Sequence, residues 1–151
     1  MRKVSLILSC ILLAVFTFTA CNKKDVTEYH YIYQGENDLW NAEYRIDCIV
    51  TLTEENGKKS SDTVTDCELV VTYKGELTDL SSVRHVEISY KSSTRGGNLI
   101  EDYEPGGSIS SKIFTLKSGG RNDAIPVEDD VINVTTITDD QTQTLELYHN
   151  K

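Results

Sequence analysis

Alanine and methionine, two residues that favour helices, are scarce in this chain of 151 residues once its first twenty residues are set aside. From residue 21 onwards there is no methionine and the only alanines are Ala42 and Ala124, whereas threonine occurs fourteen times. Threonine and the other β-branched residues favour strands over helices. No window of about eleven residues spaces its apolar side chains with a helical period. The sequence therefore predicts an all-β protein with almost no helix.

Positive charge and catalytic motifs are also scarce. Acidic residues outnumber lysines and arginines by 24 to 15, and nucleic-acid binding needs a basic patch, so we expect no nucleic-acid partner. The three histidines, His30, His85 and His149, are widely separated, and none lies in a hydrolase, metalloprotease or nucleotide-binding motif. We therefore predict that the protein is not an enzyme and has no catalytic residue, cofactor or metal site.

The first twenty residues have the pattern of an export signal. Arg2 and Lys3 precede an uncharged, mostly apolar run at 4–20, which ends in small residues. This run is short for a permanent span, because a bilayer core needs about 20 helical residues. Cleavage after residue 20 is therefore expected, and residues 1–20 are interpreted as a signal peptide.

The residues on either side of the expected cleavage point resemble a lipobox. Phe18-Thr19-Ala20 stands directly before Cys21, as apolar and small residues do in bacterial lipoproteins, with Phe18 where leucine is usual. The resemblance implies acyl chains on Cys21, which would anchor the protein to the outer face of the cell membrane. Residues 21–28 would be the lipidated cysteine and a polar tether, and 29–151 a single domain. An ordinary secretory signal followed by a coincidental cysteine is the alternative.

Two further cysteines, Cys48 and Cys67, fall on the apolar sides of neighbouring strand candidates. Strands at 40–53 and 63–74 alternate apolar and polar residues, and a hairpin turning at 56–59 would place Cys48 opposite Cys67. Because exported thiols meet an oxidising compartment, we predict a disulfide between them. The alternative is that both cysteines are small buried apolar residues.

Short strand candidates follow one another along the chain without a helical crossover, which leaves antiparallel pairing as the available solution. We predict a two-sheet sandwich of immunoglobulin-like type with Trp40 in its core, and a small closed β-barrel is the alternative. The last hairpin is expected to pair Val134 with Leu147. The strand candidates are 29–34, 40–53, 63–74, 83–91, 99–103, 109–116, 131–138 and 143–148.

Tyr29, Tyr31 and Tyr33 alternate along the first strand candidate and share one face. On an exposed strand, such a row could stack on a cell-wall glycan or seat a partner protein. The alternative is that the tyrosines pack on an adjacent strand.

Acidic clusters form a second candidate for binding. Calcium takes several carboxylate oxygens, and loops at one end of a sandwich could bring such clusters together. None of them matches the EF-hand pattern, and charged runs in loops are usually solvated. The clusters are Glu101-Asp102, Glu128-Asp129-Asp130 and Asp139-Asp140.

The segment 33–40 contains G-E-x-x-x-W, from Gly35 to Trp40. It resembles the segment that opens the folded part of small, uncharacterised lipoproteins of Gram-positive bacilli and their relatives. The resemblance implies a membrane location and an all-β domain. Gly35 would form a turn between strands, where Glu36 and Asp38 could bind a partner in an exposed loop.

These patterns together predict a membrane-anchored extracytoplasmic lipoprotein that presents a non-enzymatic binding module. The expected partners are the membrane, through the lipid, and another envelope protein or a cell-wall glycan. Two alternatives are an accessory enzyme or inhibitor acting on envelope components, with residues drawn from His85 and the loop carboxylates, and a calcium-binding envelope domain.

Overall fold

A computed structural model describes residues 23–139 and 141–149 of the chain. Eight β-strands and one turn of 3-10 helix account for the regular structure of these residues, so the predicted all-β class is confirmed. The strands are β1 (Lys23–Glu36), β2 (Trp40–Glu55), β3 (Lys58–Tyr73), β4 (His85–Lys91), β5 (Gly96–Asp102), β6 (Ile113–Arg121), β7 (Ile132–Thr138) and β8 (Gln141–His149), and the 3-10 helix is Leu77–Leu80.

All strands belong to one antiparallel sheet in the order β5-β4-β7-β8-β1-β2-β3-β6. The sheet curls so that it is nearly closed, which makes it barrel-like. Two four-stranded halves are joined where β1 pairs with β8, through Tyr33 opposite His149 and Gln34 opposite Tyr148. Because this pairing makes the sheet continuous, the predicted sandwich of two separate sheets is not confirmed, and the small β-barrel fits the architecture.

The interior is built from every second residue of each strand. Along β2 the buried positions are Trp40, Ala42, Tyr44 and onwards to Val50, which is the alternation read from the sequence. Trp40 is 2% exposed and contacts the ring of Phe114. The predicted core position of Trp40 is therefore confirmed. Trp40 is buried because it lies on the apolar side of β2, which faces the interior.

The hairpin between β2 and β3 has a shorter turn than predicted. Asn56 and Gly57 form a two-residue turn with φ angles of 51° and 76°, the left-handed values that an Asn-Gly turn adopts. Glu55 therefore lies opposite Lys58, and the whole register differs from the predicted one by two residues. The apolar residues keep their inward side, because a shift of two preserves the strand period.

This register corrects the predicted disulfide between Cys48 and Cys67. Cys48 lies opposite Thr65 and Cys67 opposite Ile46, and both cysteines are free and buried. The two are diagonal neighbours, whose Cα atoms lie about 7–8 Å apart, whereas a disulfide needs about 4.4–6.8 Å. The alternative, two buried thiols, is what the structure contains.

The last hairpin departs from its prediction in the same way. Val134 pairs with Leu145 rather than Leu147, because the turn after Thr138 is again two residues long. Asp139 in this turn has a φ of 48°, a conformation that aspartate tolerates better than most residues.

Residues 23–28, which the sequence suggested as a polar tether, belong to β1. They pair with β2 from Ile49 to Glu54, so these residues are part of the folded sheet rather than a tether before it. β8 and β6 do not pair with this part of the sheet, since β6 pairs with β3 only from Val64 onwards. We call this three-stranded extension, residues 23–28 and 51–62, the β-arm.

Candidate functional site

The three tyrosines of β1 share one side of the strand but differ in exposure. Tyr33 is 1% exposed, and its hydroxyl donates a hydrogen bond to the backbone oxygen of Val127 at 2.7 Å. Burial, followed by the nearby Asp130 carboxylate, raises the pKa of Tyr33 to about 12. Tyr29 and Tyr31 are only half-buried. Tyr33 is therefore a core residue whose ring is closed to a ligand, whereas Tyr29 and Tyr31 can be reached from solvent.

His149 and Glu128 complete the surroundings of Tyr31. The rings of Tyr31 and His149 meet edge to face with their centroids 5.3 Å apart, and the ring of Tyr29 lies 6.1 Å from that of Tyr31. The Glu128 carboxylate lies 3.8 Å from Nδ1 of His149, and its side chain is half exposed. We call Tyr29, Tyr31, His149 and Glu128 the aromatic site.

The limited pairing of β1 explains why this site stays open. In the described part of the chain, β8 pairs with β1 only beside Tyr33 and Gln34, so the strand between Lys23 and Ile32 has no β8 neighbour. Ring surfaces next to a carboxylate offer apolar contact and a hydrogen-bond acceptor, the combination that recognises a polyhydroxylated ring. The sequence pointed to the tyrosines but gave no sign that His149 and Glu128 would join them.

Glu36 and Asp38 lie at the other end of β1. Seven residues of strand separate Tyr29 from Glu36, which corresponds to about 23 Å. The Glu36 carboxylate pairs with Nζ of Lys74 at 3.2 Å, and Asp38 is exposed in the turn between β1 and β2. The structure therefore does not bring the two predicted sets of binding residues together.

The G-E-x-x-x-W segment has a structural role that differs from the predicted one. Gly35 lies within β1 rather than in a turn, and a Cβ at this position would lie 2.2 Å from the backbone oxygen of Glu146 on β8. The turn belongs to Asn37, whose Oδ1 accepts hydrogen bonds from the backbone N–H groups of Leu39 at 3.0 Å and Trp40 at 2.8 Å. Gly35 thus permits the close approach of β1 and β8 that joins the two halves of the sheet.

A buried polar cluster that the sequence did not indicate surrounds the two cysteines. Arg95, from the loop between β4 and β5, donates hydrogen bonds to Sγ of Cys67 at 3.0 Å and to Oγ1 of Thr65 at 2.8 Å. It also pairs with Oδ2 of Asp123 at 3.0 Å, which accepts a further bond from the Thr65 hydroxyl. The Arg95 side chain is 13% exposed. This cluster ties the β4–β5 loop to β3 and to the segment after β6, across the gap between the two end strands of the sheet.

The thiols in this cluster are poorly suited to nucleophilic chemistry. Burial is the first cause that raises the pKa of both Cys48 and Cys67, and it outweighs the opposing effect of the Arg95 guanidinium. A thiol reacts as the thiolate, so a raised pKa lowers its reactivity.

His85, the residue considered for catalysis, lies at the surface beside two carboxylates. Its Nδ1 is 2.7 Å from Oδ1 of Asp102, and its backbone N–H donates to Oδ1 of Asp139 at 3.0 Å. The hydrogen bond to Asp102 is the main cause that raises the pKa of His85. The Asp102 side chain is 76% exposed, so water competes for this contact and the pair is not enclosed in a cavity.

The acidic clusters are engaged in local contacts. Oδ2 of Asp130 accepts hydrogen bonds from the backbone N–H and the hydroxyl of Ser93 at 2.9 and 2.8 Å. Oδ1 of Asp139 accepts the backbone N–H groups of Arg84 and His85, which are the main causes that lower the pKa of Asp139. Among residues 23–139 and 141–149, no group of three or more His, Cys, Asp or Glu side chains is arranged to hold a metal ion.

Comparison with protein-family models, with curated proteins and with solved structures gives no match for this chain. Cys21, to which the sequence assigns the lipid, lies outside the described residues. Within those residues, no helix is long and apolar enough to cross a membrane.

Proposed function

We propose that this protein is a lipid-anchored extracytoplasmic protein whose barrel-like domain is a non-enzymatic module that binds cell-wall glycan at the aromatic site. The observation that carries the binding half of the proposal is the half-buried pair Tyr29 and Tyr31, with the Glu128 carboxylate within reach of the neighbouring His149. The lipobox-like residues before Cys21 support the anchor.

A neutral glycan suits this surface better than an anionic ligand does. Acidic residues outnumber basic ones in the chain, and Glu128-Asp129-Asp130 stands beside the site, so an anionic ligand would be repelled. The edges and faces of Tyr29 and Tyr31 can pack on the apolar faces of sugar rings, while Glu128 accepts hydrogen bonds from sugar hydroxyls. Neither interaction needs a metal or a reactive group.

Binding to purified cell-wall glycan tests the proposal. We expect the Tyr31→Leu variant to bind glycan at least about fivefold more weakly than the wild type, because leucine keeps the apolar packing on β1 but loses the ring. Tyr148→Leu is the matched control, since Tyr148 is 54% exposed on β8 and outside the aromatic site. Equal binding by both variants, or no binding of purified glycan by the wild type, would overturn the glycan assignment.

An accessory enzyme that uses His85 is the rival function. It has one observation in its favour, the contact of His85 with Asp102 beside Asp139. Replacing His85 with Gln separates the two functions, because glycan binding should be unchanged whereas any hydrolysis of envelope polymers by the wild type should be lost.

The anchor is tested separately by Cys21→Ser. The wild type is expected in the membrane fraction and the variant outside it, because two or more acyl chains give a stable anchor and their loss removes it. A variant that is processed and still sediments with membranes would contradict the lipid assignment.

A further inference from the structure

The end of the β-arm is distinctive in its charge. The first residues of β1, the last of β2 and the first of β3 meet there, because Lys23 lies opposite Glu54 and Glu54 lies opposite Lys59. Four lysines and three carboxylates share this end, which we call the arm tip. Its charged residues are Lys23, Lys24, Asp25, Glu54, Glu55, Lys58 and Lys59.

The rest of the molecule carries the opposite balance. From residue 21 onwards, the nine lysines and arginines outside the arm tip face 21 aspartates and glutamates. The arm tip is therefore a net-positive end of a strongly acidic chain, and this uneven charge gives the molecule a dipole moment.

The arm tip also carries apolar surface between its lysines. Leu52 is 49% exposed and lines a cleft of about 480 Å³ together with Lys23, Lys24 and Lys59. Lysine side chains can lay their apolar stems along such a surface while their ammonium groups reach a polar layer. A lipid surface offers both an apolar boundary and anionic headgroups.

The position of Cys21 relates the arm tip to the bilayer. Only Asn22 stands between Cys21 and Lys23 in the sequence, so their Cα atoms are at most about 7 Å apart. This step rests on the proposed lipid anchor. An acyl chain on Cys21 would hold the tip at the headgroup layer, within a Debye length of about 8 Å at physiological salt.

We propose that the arm tip binds anionic lipid headgroups through Lys23, Lys24, Lys58 and Lys59. The β-arm then contacts the membrane at its tip and keeps the barrel away from the bilayer surface. Lipid headgroups attract the tip, and the acidic body is repelled from the same surface. Eight residues of strand from Lys23 to Tyr31 then set the aromatic site about 26 Å from the tip, towards the cell wall.

The test uses the acylated protein in vesicles whose lipids carry a quencher at the headgroup. A fluorophore attached to Ser60→Cys reports on the arm tip, and one attached to Asp38→Cys reports on the far end of β1. The native Cys48 and Cys67 are buried and do not compete for the label. Phosphatidylglycerol vesicles are compared with phosphatidylcholine vesicles, at about 0.1 M and about 1 M salt, between which the Debye length falls from about 10 to about 3 Å.

We expect the tip fluorophore to be quenched in phosphatidylglycerol vesicles at low salt, and the far fluorophore to remain unquenched. Lys58→Gln/Lys59→Gln should lower the ratio of docked to undocked tips by about fivefold for each lysine removed. This pair is chosen because it lies outside the signal and its cleavage point. The matched control, Lys91→Gln/Lys117→Gln, makes the same charge change on β4 and β6 and should leave the ratio unchanged.

Three results would overturn the proposal while leaving the anchor intact. The two fluorophores could be quenched equally, or the quenching of the tip fluorophore could be independent of phosphatidylglycerol and salt. The tip and control variants could also show the same ratio of docked to undocked tips. The intact mass of the same preparation distinguishes the other failure, because a chain without acyl groups on Cys21 would overturn the anchor and this inference together.

Discussion

Arg95 should contribute measurably to stability, and Arg95→Met tests this most simply. Methionine keeps much of the length and the apolar stem of arginine while removing the three contacts to Cys67, Thr65 and Asp123. Thr65 and Asp123 remain hydrogen-bonded to each other at 2.7 Å, so the substitution leaves neither of them without a partner.

The size of the effect follows from these contacts. The charged bond to Thr65 and the weaker bond to the Cys67 sulfur together contribute about 3 kcal/mol. Nε of Arg95 is buried without a hydrogen-bond partner, so its removal returns about 1 kcal/mol. The Asp123 pair adds little, because water reaches that carboxylate. We therefore expect a net loss of about 2 kcal/mol, or a fall in Tm of about 6–10 °C for a domain of this size.

Urea denaturation followed by tyrosine and tryptophan fluorescence measures this loss. With a slope of about 2 kcal/mol per molar urea, the midpoint should fall by about 1 M. Arg121→Met is the control, because Arg121 is exposed at the end of β6 and should change the midpoint little. If the Arg95 and Arg121 variants unfold at the same urea concentration, the buried cluster does not join the two ends of the sheet.

Three further predictions concern the closure and register of the sheet. Gly35→Ala should destabilise the domain by about 1–3 kcal/mol, seen as a lower thermal midpoint than that of the wild type, because its Cβ meets the Glu146 backbone oxygen on β8. Thr65→Cys should form a disulfide with Cys48 that mass spectrometry detects without reductant, since these positions are directly opposite; free thiols in this variant would contradict the register. The lowered pKa of Asp139, held by two backbone N–H groups, stabilises the fold at neutral pH, and this contribution should be lost as pH falls below the usual aspartate range. Asp139→Asn should therefore flatten the acid side of a stability–pH curve.

Alternation along the strands was predicted correctly from the sequence, whereas turn length was not. The inward sides of β2 and β3 were predicted correctly because their apolar residues keep one parity over many positions. Both predicted hairpin registers are wrong by two residues, because the turns are two residues long rather than the four residues expected at 56–59 and 139–142. A register shift of two residues keeps every side chain on the same face of the sheet, so the alternation of apolar residues cannot reveal the error. The Asn56-Gly57 pair was the signal in the sequence for a two-residue turn.

The contents of the candidate sites depended on contacts between distant segments. Tyr29 and Tyr31 could be proposed from their spacing, but His149 and Glu128 reach them only after β8 and the loop before β7 fold against β1. The contacts of Arg95 could not be predicted from the sequence for the same reason. Arg95 is the last residue of the loop before β5, and its burial follows only from the nearly closed sheet, whereas the sequence favoured a sandwich.

The lipid anchor can be tested by the intact mass of the N-terminal peptide of the mature protein, isolated from its native membrane. We expect a peptide that begins at Cys21 and carries the mass of a diacylglyceryl group, with or without a further acyl chain on its nitrogen. A peptide that begins elsewhere, or an unmodified Cys21 on a protein recovered in the soluble fraction, would contradict it.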